Sequence, residues 1–352
     1  MFYYNKNSIN LIENRVEALK LYNPNPNQFT TVAENVGFYY HDKEFSKIDW
    51  NYEPPQSLQD LYRIKAEKIR QDYEYVILAY SGGMDSSQVL ETFYYNNIHI
   101  DEILMVGAFS QDSYGGSDEN HNKEIYDSAW PILNELQLKN TKITNLDYTT
   151  FFNNVDNFSL IQKYGSDWIN HIGCFYSLHN LFWHDISKYV GPKDKKTCVV
   201  FALEKAMFLY DRILNKPYTV FSDHYAVSYG NMKSTEQFSK VYFYNEPSIE
   251  STNILRKQLH LIKDYYLNEI LPNGLDQYFN EYKERIIDNI IYKVKNKLRY
   301  RSWKSKSKIL SDRDRYIINH KNSDIYKIYT DGIKKLPTQT NVSFLSRRYY
   351  FE

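Results

Sequence analysis

The sequence predicts an α/β fold: a parallel sheet with helices on both faces, followed by a mainly helical C-terminal subdomain. Three observations carry that prediction. The apolar run 76–80 passes through a polar, glycine-containing turn into a helical pattern and then into a second apolar run, 103–106, a crossover of the length parallel pairing requires. Two further strand candidates, 142–148 and 197–203, alternate with helical stretches rather than with tight turns. Beyond residue 250, the stretches 251–270 and 275–299 are amphipathic at helical spacing and are split by Pro272-Asn273-Gly274.

In chain order, residues 1–56 hold scattered aromatics and turn formers, with a short helix expected between Ile9 and Leu21, and read as an arm on the main domain. Ser57, with Asp60 three residues on, has the form of a helix N-cap ahead of the apolar face Leu58, Leu61, Ile64, Ala66 and Ile69. That helix delivers the chain to the first strand and opens a domain expected to span 57–250. After the turn, Val89, Leu90, Phe93 and Tyr94 recur at helical spacing until Asn96-Asn97. The polar loop 107–122 follows the second strand, and a helix over 121–136 contains Pro131, which predicts a kink or break. A very apolar helix is expected from Gly173 to Tyr189, and 207–224 reads as a hairpin turning at Asn215-Lys216-Pro217. The subdomain 251–352 ends in about 40 weakly patterned residues, expected to fold back on the body.

The 43 basic and 43 acidic residues cancel, so nucleic acid or an anionic membrane would have to be met by a local patch rather than by the whole surface. Cys174 and Cys198 are the only cysteines, too few for a disulfide framework. With no apolar stretch of membrane-spanning length and no signal-like N-terminus, a cytoplasmic location is expected. The 35 tyrosines, alongside many Asn, Lys and Ile residues, reflect a biased composition rather than a functional array.

Ser81-Gly82-Gly83-Met84-Asp85-Ser86-Ser87 carries the chemistry. A strand end that feeds a helix N-terminus gathers backbone N–H groups and the positive end of the helix dipole at one point, and paired glycines let backbone approach an anion closely. Ser81, Ser86 and Ser87 add hydroxyl donors, and Asp85 is a carboxylate suited to a hard cation such as Mg²⁺. The other common phosphate motif, GxxxxGK[ST], is absent.

Elsewhere, Glu204-Lys205 follows the fourth strand, where Lys205 would neutralise phosphate charge; the plain alternative is a surface pair. Asp223 and His224 are candidate metal or substrate ligands, against the ordinary reading of Asp as a turn residue. His171, Cys174, His179 and His184 lack the paired spacing of a zinc site. From Lys293 to Arg315 there are ten Lys or Arg against Asp312 and Asp314, with Tyr300 and Trp303 between them. That run suits RNA or DNA, a solvated face, or a lid over a triphosphate.

The loop resembles the signature of the PP-loop ATP pyrophosphatases, or adenine nucleotide alpha hydrolases. The resemblance implies a Rossmann-like (HUP-type) core, ATP and Mg²⁺ as ligands, and cleavage between the α and β phosphates with AMP passed to an acceptor. It assigns Ser81, Gly82, Gly83, Asp85 and Ser86 to the pyrophosphate and its Mg²⁺, with Ser87 in support. Adenine would be held by main-chain groups near Ala79 and near Val106 or Gly107. The form of the motif is similar to the N-type, asparagine synthetase-like branch, which implies C–N bond formation. Phe2 and the short arm leave no cysteine for a glutaminase half. The longer pattern, including Ala202-Leu203-Glu204-Lys205, is also similar to PP-loop proteins of large tailed bacteriophages. Two alternatives remain at this point: an adenylating enzyme acting on a tRNA or DNA base, and a nucleotide-binding module without turnover.

Overall fold

The computed structural model describes residues 3–6, 10–22, 32–107, 109, 125–147, 161–171, 177–203, 207–211, 213–223, 232, 234–270, 317–318, 321–337 and 342–352. The N-terminal segment forms β1 (Tyr3–Asn5), β2 (Leu11–Ile12), α1 (Arg15–Leu21), β3 (Val32–Phe38) and α2 (Asp42–Phe45). The central segment then runs α3 (Leu58–Asp72), β4 (Tyr75–Ala79), α4 (Met84–Tyr95), β5 (Glu102–Gly107), a π-helical turn (Ile125–Ala129), α5 (Trp130–Leu136) and β6 (Lys142–Asp147). Two 3₁₀ segments, Gly165–Asn170 and Leu178–Lys188, lead to β7 (Thr197–Phe201), β8 (Met207–Asp211), β9 (Lys216–Val220) and β10 (Phe238–Tyr242). Then come α6 (Ile249–Tyr265), which continues as a π-helical turn (Tyr266–Ile270), α7 (Asp324–Ile333), β11 (Ser343–Leu345) and β12 (Tyr349–Tyr350).

The main sheet is five-stranded and parallel throughout, in the order β10-β7-β4-β5-β6. Numbered by their appearance in the chain, these strands lie 5-4-1-2-3, the doubly wound arrangement of a Rossmann-like α/β fold. Its central strands are apolar on both sides because both faces are covered. Val76 and Leu78 of β4, with Cys198 and Val200 of β7, pack under α3, α4, α5 and α6. The alternate residues Ile77, Val199 and Phe201 pack against the layer formed by residues 161–171 and 177–190.

Local signals account for most boundaries. Ser57 caps α3 by accepting the Asp60 N–H at 3.1 Å. Pro131 falls in the first turn of α5, directly after a π-helical turn that accommodates its missing N–H, and that turn is the expected irregularity. The segment 178–188 is helical but wound 3₁₀, in a stretch rich in His, Asn, Phe and Trp, all weak α formers. The expected hairpin forms from β8 and β9, but its turn lies at 213–215 rather than 215–217, and Lys216 and Pro217 pair within β9.

The C-terminal region, expected to be mainly helical with a tail folding back on the body, does fold back at its last residues. Helices α6 and α7 are present, but β11 pairs parallel with β3 of the N-terminal sheet and β12 pairs antiparallel with β9. The arm, the hairpin and the chain end therefore share one core, centred on Phe38, Phe45, Phe221, Phe344 and Phe351. The expected helix over 275–299 lies outside the described residues. Among the described residues no helix is long and apolar enough to cross a membrane.

Candidate functional site

The loop 80–83 leaves the carboxyl end of β4, the first strand of the sheet in chain order and the one with β5 on one side and β7 on the other. In open parallel sheets this switch point is where the crevice for ligands opens. Ala79 ends β4, opposite Leu104 of β5 and Phe201 of β7. Gly107 lies three residues past Leu104, so β5 runs about 10 Å beyond the end of β4.

The turn itself is built on glycine. Gly82 has φ +82°, a left-handed conformation that disfavours any side chain, and a Cβ there would sit 2.7 Å from the Ala129 backbone nitrogen. Gly83 is the N-cap of α4 at φ −71° and ψ 163° and offers no capping oxygen, whereas α1, α3, α6 and α7 are each capped by an Asn or Ser side chain. The first intrahelical bond of α4 is Ser87 N–H to the Gly83 carbonyl, at 2.9 Å. The N–H groups of residues 84–86 thus precede any helical acceptor and lie at the positive end of the helix dipole.

Hydroxyls lace the turn together. Ser81 Oγ accepts the Gly83 N–H at 3.2 Å, Ser86 Oγ donates to the Gly83 carbonyl at 3.0 Å, and Ser81 N–H reaches Ser86 Oγ at 3.4 Å. Ser81 is exposed; Ser86 is buried just inside it. Ser87 is fully buried, its hydroxyl 3.1 Å from the Tyr80 hydroxyl, so it braces the loop from below and does not face the crevice. Asp85, half-buried, stands in the first turn of α4.

Two anchors hold this unit from outside. Ser128 donates to the Gly82 carbonyl at 2.8 Å, and Tyr244, in the turn after β10, donates to the Asp85 carbonyl at 3.3 Å. Burial, then the neighbouring Tyr62 and Asp85, push the Tyr244 phenol well above its ordinary pKa, so it remains a donor. Sequence reading missed both anchors. Ser128 left only a faint signal, a small pair Ser128-Ala129 just before Pro131, and Tyr244 left none.

Asp223 requires a correction. It is fully buried in the core shared by the chain ends, and its carboxylate is occupied. Arg15 Nε lies 2.7 Å away, Tyr3 OH donates at 3.1 Å and the Phe344 N–H at 2.9 Å. These partners satisfy both oxygens, so Asp223 serves as a structural counter-ion and not as a metal ligand. His171 and His184 sit in the helical layer beside Tyr164, where His184 Nε2 is 3.2 Å from the His171 carbonyl and Nδ1 is 3.4 Å from the Tyr164 hydroxyl. Cys198 is buried in β7 with its thiol pKa pushed up by desolvation. Cys174, Glu204, Lys205, His224 and the run from Lys293 to Arg315 lie outside the described residues.

A phosphate with Mg²⁺ fits the residues present. Hydroxyl groups and helix-terminal N–H donors surround the turn, Gly82 lets its backbone close against Ala129, and Asp85 supplies one carboxylate. Among the described residues no group of three or more His, Cys, Asp or Glu side chains forms a metal cage. Mg²⁺ is commonly held by one or two carboxylates together with phosphate oxygens and water. No protein-family model matches the chain, and no curated protein matches it at a significant level.

Proposed function

We propose that the protein binds ATP at the 81–87 loop and splits it between the α and β phosphates, passing AMP to an acceptor with release of pyrophosphate. The observation that carries this reading is the placement of the loop: it joins the first strand of a 5-4-1-2-3 parallel sheet to the uncapped N-terminus of α4, at the switch point. The internal bonds of the turn support it. At 3.2–3.4 Å, the contacts of Ser81 with Gly83 and Ser86 are long, and charge-assisted bonds to phosphate oxygens at about 2.8 Å would replace them favourably.

In this reading the N–H groups of 83–86 and the hydroxyls of Ser81 and Ser86 receive the β and γ phosphates. Negative charge grows on the departing pyrophosphate as the acceptor oxygen attacks the α phosphorus. Donors already fixed in place stabilise that charge more in the transition state than in the ground state. Mg²⁺, held by Asp85 and the phosphates, would supply further charge neutralisation. The main-chain groups at Ala79 and Gly107 border the adenine, and the charge of Lys205, assigned from sequence alone, would offset that of the phosphates. An acceptor that is already a carboxylate needs no general base from the protein.

The proposed product is an adenylate used to form a C–N bond. The experiment is an assay of ATP turnover with Mg²⁺ across amino acids, tRNA and DNA, with the nucleotide products identified. AMP and pyrophosphate support the reading, whereas ADP and inorganic phosphate sink it.

A further inference from the structure

We propose that Ser128 is a positioning residue for phosphate at this loop, an inference that rests on the nucleotide-binding reading above. Ser128 is buried, with 3% of its surface exposed, in the π-helical turn that leads into α5. Its hydroxyl donates to the Gly82 carbonyl at 2.8 Å. The backbones are in contact at the same place, since a Cβ on Gly82 would meet the Ala129 nitrogen at 2.7 Å.

The consequence follows from peptide geometry. In a trans peptide the carbonyl and the next N–H point in opposite directions. With the Gly82 carbonyl drawn to Ser128, the Gly83 N–H points the other way, toward the exposed Ser81 hydroxyl, 3.2 Å distant. Rotation of that one peptide would exchange a donor for a partial negative charge among the groups that receive phosphate. Because glycine stands on both sides of this peptide, local sterics oppose the rotation only weakly. Ser128 supplies the opposition without touching the ligand. Its own position is fixed from below by Ile125, Ala129, Ile132 and Leu133, all packed in the core under α4.

The test is calorimetric titration of inorganic pyrophosphate with Mg²⁺ into the full chain and into the Ser128→Ala and Ser128→Thr variants, with adenosine as the second titrant. The dissociation constant for pyrophosphate should rise about tenfold in Ser128→Ala, the scale of one lost hydrogen bond. It should return close to the original value in Ser128→Thr, and adenosine should bind all three alike. Unchanged pyrophosphate affinity in Ser128→Ala, or an equal loss for adenosine, overturns the positioning role and leaves the nucleotide reading standing. Failure of the unmodified chain to bind pyrophosphate or ATP overturns both. Should a variant not fold, the unmodified protein gives the answer by NMR. On adding pyrophosphate the Gly83 amide proton should move while the Gly82 carbonyl carbon stays where the Ser128 bond holds it. Movement of the Gly82 carbonyl without the Gly83 amide contradicts the proposal.

Discussion

Arg15 and Asp223, 208 positions apart in the chain, meet in a buried ion pair at 2.7 Å with almost no solvent exposure on either side chain. The same guanidinium donates through Nη2 to the Val342 carbonyl, and the same carboxylate accepts the Phe344 N–H. One ion pair thus ties together α1, the segment after β9 and the chain end at β11.

Removal of one partner leaves the other charged and buried. Asp223→Ala should destabilise the fold by about 3–5 kcal/mol, read by chemical denaturation. The sheet carrying the 81–87 loop has its own core, so ATP affinity measured well below the unfolding transition should change little. A large loss of affinity with little loss of stability would instead restore Asp223 to the ligand site.

Gly82 is predicted to be the most sensitive glycine of the loop. Alanine there must adopt φ +82° and clash with the Ala129 backbone, at a cost on the order of 1–3 kcal/mol. Gly82→Ala should abolish nucleotide binding in protein that circular dichroism still shows folded. Gly83 lies at φ −71°, which alanine adopts without strain, so Gly83→Ala should be the milder change. The reverse ranking would contradict the geometry described for the turn.

The strand, glycine turn and helix at 75–95 were legible in the sequence because they are local: an apolar run, two glycines and a helical period within 21 residues. The strands β5, β6 and β7 were legible for the same reason. The edge strand β10 was not, since Ser239 and Lys240 interrupt its apolar pattern. β11 and β12 are only 3 and 2 residues long and exist through pairing with distant strands, which no periodicity encodes. The site divides in the same way. Ser81–Ser87 could be read directly, but the Tyr244 bond to Asp85 spans 159 positions, and the role of Asp223 depended on the distant Arg15.

That long-range bond gives a further prediction. Tyr244→Phe removes only the hydroxyl that holds the Asp85 carbonyl, leaving the ring against Tyr62. Stability should fall by about 1 kcal/mol, and KM for ATP should rise several-fold as the first turn of α4 loosens. Steady-state kinetics beside a thermal melt check this, and an unchanged KM would show that the anchor has no bearing on the site.

The most direct test of the account is product identification after incubation of the protein with Mg²⁺-ATP and the panel of candidate acceptors. Release of AMP and pyrophosphate that depends on an acceptor and disappears in Asp85→Ala is the predicted result. Release of ADP and inorganic phosphate, or pyrophosphate release that survives Asp85→Ala, would contradict it.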